Sequence, residues 1–153
     1  MISKSLEEYL KTMYVLKKQN GQIRVTDIAN KMNLTKPSVN KALNNLKASD
    51  LIIYEPYSEI EFTKEGENLA KKILAAFDIV YLFLTEVLEL KDNKEQIMNE
   101  AKNIKSVISD ETLNKLARYT HKELKLDEIE CCGYDINKEK CRNCLKMKSN
   151  KKI

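Results

Sequence analysis

Three sets of side chains in this sequence have types and spacing suited to chemistry. Cys131, Cys132, Cys141 and Cys144 lie close together near the C-terminus, and Cys141 and Cys144 have the two-residue spacing of a metal knuckle. Four soft ligands suffice for tetrahedral zinc or an iron–sulfur cluster, and Gly133 permits a tight turn beside the first pair. Reduced free thiols are the plainer alternative, because adjacent side chains such as Cys131 and Cys132 diverge in an extended chain. The second set is Lys36, Ser38, Asn40, Lys41, Asn44 and Asn45, an acid-free polar run on one face of an expected helix. Asparagine can present a donor and an acceptor together to adenine, and lysine serves guanine edges or phosphates. The plainer reading is a solvated helix surface. The third is the single histidine, His121, which reads as a helix-end residue. With no Ser-His-Asp set, phosphate-binding glycine loop or paired carboxylates in an apolar pocket, an enzyme is not expected.

The elements that must hold these groups are mainly helical. Only 3 Gly and 2 Pro in 153 residues leave too few turn residues for a sandwich or barrel, and 33% charged residues suit a helical protein with a polar surface. The stretch 73–90 is the most apolar, but Asp78, Glu86 and Glu89 break it, so a cytoplasmic protein with no membrane span is expected. Leu6, Tyr9, Leu10, Met13 and Tyr14 fit a first helix capped by Ser3 or Ser5 and stopped by Gly21. A short extended piece over 23–25 leads to a second helix, 27–32, with Thr26 as its cap. Thr35 caps a third, with Pro37 in its first turn and Val39, Ala42, Leu43 and Leu46 facing inward. Residues 51–54 and 59–62 are strand candidates flanking the turn Glu55-Pro56-Tyr57-Ser58. Thr63 caps a long helix whose stripe continues to about Leu90, and two further helices carry Ile97, Ala101 and Ile104, then Leu113, Leu116 and Ala117.

Helix, short strand, two helices joined by a tight turn, then a hairpin is the order of a winged helix-turn-helix, in which the second helix of the pair enters the major groove of DNA. Thr26 and Thr35, at helix starts, are placed to hold backbone phosphates, and Arg24, Tyr57 and Ser58 to do so from the strand and the wing. The later helices are too few and short to bury their apolar faces alone, which points to a homodimer. The net charge of +4 is modest but uneven, since Lys138, Lys140, Arg142, Lys146, Lys148, Lys151 and Lys152 face only Glu139. That basic tail suits either a solvated end or contact with phosphates.

Four segments together carry a family resemblance: Ser5-Leu6-Glu7-Glu8-Tyr9-Leu10, Val25-Thr26-Asp27-Ile28-Ala29, Lys36-Pro37-Ser38-Val39-Asn40-Lys41 and Phe62-Thr63-Lys64-Glu65-Gly66. Over about residues 3–119 the chain resembles the diphtheria-toxin-repressor family, especially its short manganese-regulator branch. The resemblance implies a homodimeric repressor whose DNA binding is switched on by Mn²⁺ or Fe²⁺. It places that metal at positions occupied here by Glu8, Lys11, Phe77, Lys102, Lys105 and Ser106. Of these only Glu8 suits a hard divalent cation, because lysine offers no lone pair near neutral pH. Two explanations stand: one or more of Lys11, Lys102 and Lys105 supplies the positive charge in place of the metal, or the lysines merely face solvent.

The sequence therefore predicts a mainly α fold: a winged helix-turn-helix over 1–70, a helical dimerisation domain over 71–120, and a Cys-rich basic tail over 121–153. The predicted function is that of a sequence-specific DNA-binding transcriptional repressor, acting as a homodimer on double-stranded operator DNA, with the family's Mn/Fe site lost. A regulator still activated by a divalent cation through an altered site is the first alternative. The second is a zinc or iron–sulfur interaction protein using its winged helix as a scaffold.

Overall fold

Local caps start most of the helices in the computed structural model, which describes residues 2–125. Ser3 accepts the Leu6 N–H and opens α1 (Lys4–Asn20), which ends at Gly21, whose φ of 74° frees its N–H to bond the Lys17 carbonyl. Helix α2 (Val25–Met32) starts two residues earlier than expected. Its cap is Arg24 rather than Thr26, with extended φ/ψ of −120° and 143° and no side-chain acceptor. Burial of Ile23 fixes where the chain enters, so Thr26 falls inside the first turn and is exposed. The extended piece before α2 pairs with no strand among the described residues.

Asn33 takes the left-handed conformation after α2, and the Leu34 N–H bonds the Ala29 carbonyl at 2.9 Å. A short polar turn results, and α3 (Lys36–Ala48) follows with Thr35 as cap, its hydroxyl accepting the Ser38 N–H. Ile28, Val39, Leu43 and Leu46 are wholly buried beneath α1, where Leu10 and Met13 are equally sealed. Burying each such side chain contributes about 1.5–3 kcal/mol, which is what holds the two short helices at their angle.

The hairpin is shorter than the residue pattern suggests. Strand β1 (Ile52–Ile53) pairs antiparallel with β2 (Glu61–Phe62), Ile52 opposite Phe62. Tyr54 lies just past the ladder with its hydroxyl bonded to Asn40 of α3, and the loop from Glu55 onward closes on itself through Ser58. Thr63 then joins wing to helix: its hydroxyl accepts the Gly66 N–H at 3.0 Å and donates to the Asp50 carbonyl at 2.7 Å. Gly66 is required there, since a Cβ would lie 1.7 Å from the Leu51 carbonyl oxygen.

Helix α4 (Lys64–Leu82) passes out of the first compact unit, which ends at Ile73, into a second that begins at Leu74. It does not continue regularly to Leu90. Residues Phe83–Val87 form a π-helical turn, with the Leu88 N–H reaching back five residues to the Phe83 carbonyl, and Glu89 turns left-handed to end the run. The extra residue rotates the stripe, so Leu84 is buried while Leu88 is 51% exposed. Asn93 caps α5 (Lys94–Val107) and Ser109 caps α6 (Asp110–Glu123). Ile79, Val80, Ile97, Ala101, Leu113 and Ala117 form the core of this unit, and His121 is buried in the last turn of α6. The cysteine cluster and the basic tail lie outside the described residues. No helix among the described residues is long and apolar enough to cross a membrane.

Candidate nucleic-acid interface

The inward residues of α3 decide which of its side chains reach solvent. With Val39, Ala42, Leu43 and Leu46 buried, Lys36, Ser38, Lys41, Asn44 and Asn45 are left exposed, and α3 has no acidic residue in its first turn. A helix presenting lysines and amides, without a carboxylate among these positions, has favourable electrostatics toward a phosphate-lined groove. Ser38 and Thr35 share a hydrogen bond at 2.9 Å, which holds both hydroxyls at the entry of the helix.

Asn40 differs from its neighbours. It is only partly exposed, and its Oδ1 accepts a hydrogen bond from the Tyr54 hydroxyl at 3.0 Å. Sequence spacing marked Asn40 as one more free amide; its tie to the wing depends on two segments meeting in space and carries no local signal. Lys47 is likewise drawn toward the wing by an ion pair with Glu55.

The wing residues divide by role. Tyr57 stands fully exposed at the tip with φ 66°, a left-handed conformation unusual for an aromatic residue. Ser58 is less available than expected, because its hydroxyl accepts the Glu55 N–H and donates to the Glu55 carbonyl at 2.9 Å. Arg24 is exposed and lines a groove of about 330 Å³ together with Tyr54, Tyr57 and Ser58. Thr26 is also exposed, though as a second helical residue rather than as a cap.

The positions at which the family resemblance implies a metal hold other chemistry. In α1, Lys11 Nζ lies 3.1 Å from Glu8 Oε2 and 3.3 Å from Oε1, so the ammonium straddles the carboxylate. The pair is substantially sheltered, with 13% of the Lys11 side chain and 27% of Glu8 exposed. In the second unit, Phe77 is buried and stacks on Tyr81 with ring centroids 5.7 Å apart. Lys102 and Lys105 are half-buried on α5, and the Ser106 hydroxyl donates to the Asn103 carbonyl at 2.7 Å. Among the described residues no three His, Cys, Asp or Glu side chains come together as a metal site. A divalent cation needs several oxygen or imidazole donors, and one carboxylate already paired to an ammonium does not meet that need.

Comparison with known proteins adds to this geometry. Residues 1–60 match the iron dependent repressor N-terminal DNA binding domain, and residues 63–123 match the iron dependent repressor metal binding and dimerisation domain. An uncharacterized HTH-type transcriptional regulator of Methanocaldococcus jannaschii is 32% identical over 122 residues, covering 79% of this chain and 96% of that protein. The HTH-type transcriptional regulator MntR of Bacillus subtilis is 26% identical over 116 residues, covering 76% of this chain and 80% of the relative. Among solved structures, the manganese regulator SloR aligns with a TM-score of 0.61 at 26% identity, over 78% of this chain and 53% of that one. The metal-dependent transcriptional regulator MtsR aligns with a TM-score of 0.66 at 22% identity, over 78% and 53% respectively, and shares the fold. The chain thus spans about half the length of these two solved proteins.

Proposed function

The chain belongs to the iron-dependent repressor family of metal-dependent transcriptional regulators, and on that premise we propose that it is a homodimeric, sequence-specific repressor that binds operator DNA without a divalent cation. The observation that carries the reading is the ammonium of Lys11 seated on Glu8, where the family resemblance implies metal ligands. A fixed cation there supplies the positive charge a metal would bring, and it does so permanently. Lys102 and Lys105 add two more positive charges at the other implied positions, where Phe77 and Ser106 offer no strong ligand.

DNA is engaged by the exposed face of α3. Lys36, Lys41, Asn44 and Asn45 supply groove and phosphate contacts; Thr35 and Ser38 contribute at the helix entry, and Arg24, Thr26 and Tyr57 flank them. Dimerisation falls to the unit beginning at Leu74. Val107, 80% exposed at the end of α5, and the exposed Leu88 and Tyr119 support an apolar surface there that a second copy would cover. The protein works in the cytosol as a binding protein rather than an enzyme.

The test is selection of duplexes from a genomic fragment pool, including the DNA upstream of its own gene, by the purified full chain. A dimer making several phosphate contacts enriches discrete fragments, and its affinity falls steeply as salt rises. Enrichment of nothing, with weak binding indifferent to salt, would reject the regulator reading in favour of a winged-helix scaffold.

A further inference from the structure

Helix α3 and the wing carry opposite charge. The helix has Lys36, Lys41 and Lys47 and no acidic residue, whereas residues 53–62 have Glu55, Glu59 and Glu61 and no lysine or arginine. They meet where Lys47 Nζ, in the last turn of α3, donates to Glu55 Oε1, just past β1. Lys47 follows Asn40 by seven residues, close to two full turns, so both project from the same side of the helix. The consecutive wing residues Tyr54 and Glu55 engage that side at its two levels. The ion pair stays open to water, with 44% of the Lys47 side chain and 63% of Glu55 exposed. An exposed pair of this kind is worth a factor of only about 1.5 to 5 in an equilibrium constant, so another anion can take the lysine.

We propose that Glu55 competes with the DNA backbone for Lys47: the wing holds the last cation of α3 on a carboxylate, and a DNA phosphate gains that contact only by displacing it. This rests on the DNA-binding reading given above. The start of a recognition helix meets base edges in the major groove, and its C-terminal end can lie against the sugar-phosphate backbone. Lys47, on a flexible four-carbon stem in the last turn, has the place and the reach for that second contact. Carboxylate and phosphate oxygens are the same kind of charge-assisted acceptor for an ammonium, so one replaces the other at Nζ without new geometry. The exchange costs the ion pair, and that cost is subtracted from the affinity for DNA. Glu55 therefore holds the affinity of α3 below what its lysines would give alone, and it does so from within the protein.

The experiment is a double-mutant cycle on the full chain: wild type, Lys47→Gln, Glu55→Gln and the two together, each binding the selected operator duplex in fluorescence anisotropy across a salt series. A thermal melt of each establishes that it is folded, and the exposure of both side chains makes that the expected result. Long-range attraction and repulsion by the two charges add, so they give no coupling, whereas competition for one lysine does. Glu55→Gln should bind about threefold or more tightly than wild type. Lys47→Gln should cost about threefold more when combined with Glu55→Gln than when made in wild type. In that combination it should also lower the slope of log affinity against log salt by about 0.9, the loss of one phosphate contact. Glu59→Gln removes the same charge from an exposed position of the same wing and should not couple to Lys47→Gln. The proposal is overturned if Lys47→Gln costs the same factor with and without Glu55→Gln, or if Glu59→Gln couples to it as strongly. Failure of the wild type to bind any duplex refutes the underlying DNA-binding reading, and the proposal falls with it.

Discussion

Replacing Lys11 by Glu removes the cation that sits on Glu8 and puts two carboxylates three residues apart on α1, where side chains of that spacing are neighbours. At 3.1 Å the gross attraction of the pair is about 5 kcal/mol for an effective dielectric constant near 20. Desolvation takes back most of this. With 13% and 27% of the two side chains exposed, the net value lies between the roughly 0.5 kcal/mol of open surface pairs and the roughly 3–5 kcal/mol lost on breaking a buried one. We expect about 2 kcal/mol in all, including the new repulsion, which lowers the melting temperature by about 6–8 °C for a chain of this size. The variant also acquires two oxygen ligands one turn apart. Mn²⁺ at about five times its dissociation constant then restores about 1 kcal/mol. The assay is calorimetric melting of both proteins in chelator and across a Mn²⁺ titration. Wild type should melt at one temperature throughout, and Lys11→Glu should melt lower and recover part of the loss with metal. A wild-type melting temperature that climbs with Mn²⁺ as much as the variant's, or a variant as stable as wild type in chelator, would show that Lys11 does not hold Glu8 in place of a metal.

Gly66→Ala forces a methyl group against the Leu51 carbonyl, 1.7 Å from where its Cβ would sit, and should cost about 3 kcal/mol or more by urea unfolding. A loss under about 1 kcal/mol would show that α4 and the wing can part easily. Lys41→Glu places a carboxylate on the acid-free face of α3; DNA affinity should fall at least tenfold in fluorescence anisotropy, and the slope of log affinity against log salt should drop by about 1 if a phosphate contact is lost. An unchanged isotherm would remove Lys41 from the interface. Tyr57→Gly relaxes a left-handed residue with no packing to lose, so the melting temperature should hold steady while DNA affinity falls. Equal affinity in the two proteins would mean the wing tip stays clear of DNA.

Helix starts were legible wherever a short polar side chain could bond the backbone three residues on, as Ser3 and Thr35 do, because that interaction is local. The same logic misplaced the start of α2. Thr26 has the right chemistry for a cap, but the burial of Ile23 sets the chain's entry and puts Arg24 at that position. Periodicity revealed α4 but not its end, since Leu84 and Leu88 look like one stripe until the π turn inserts a residue between them. The outward face of α3 followed from its inward one, because four buried apolar residues leave few choices for the rest. The engagement of Asn40 by Tyr54 and of the Ser58 hydroxyl within its own turn was not legible. Both depend on where the hairpin folds back, and the residue types alone suggested longer strands and freer side chains. The charge at Glu8 is legible in the sequence only as one or more of Lys11, Lys102 and Lys105, and the structure seats the Lys11 ammonium on it.

The most direct measurement is the affinity of the full chain for its selected operator duplex under anaerobic conditions, first in chelator and then with Mn²⁺ or Fe²⁺ added. Tight binding in chelator, changed by metal by less than about twofold, is expected, since the Lys11 ammonium already occupies Glu8. Binding that appears only when the metal is added would contradict it.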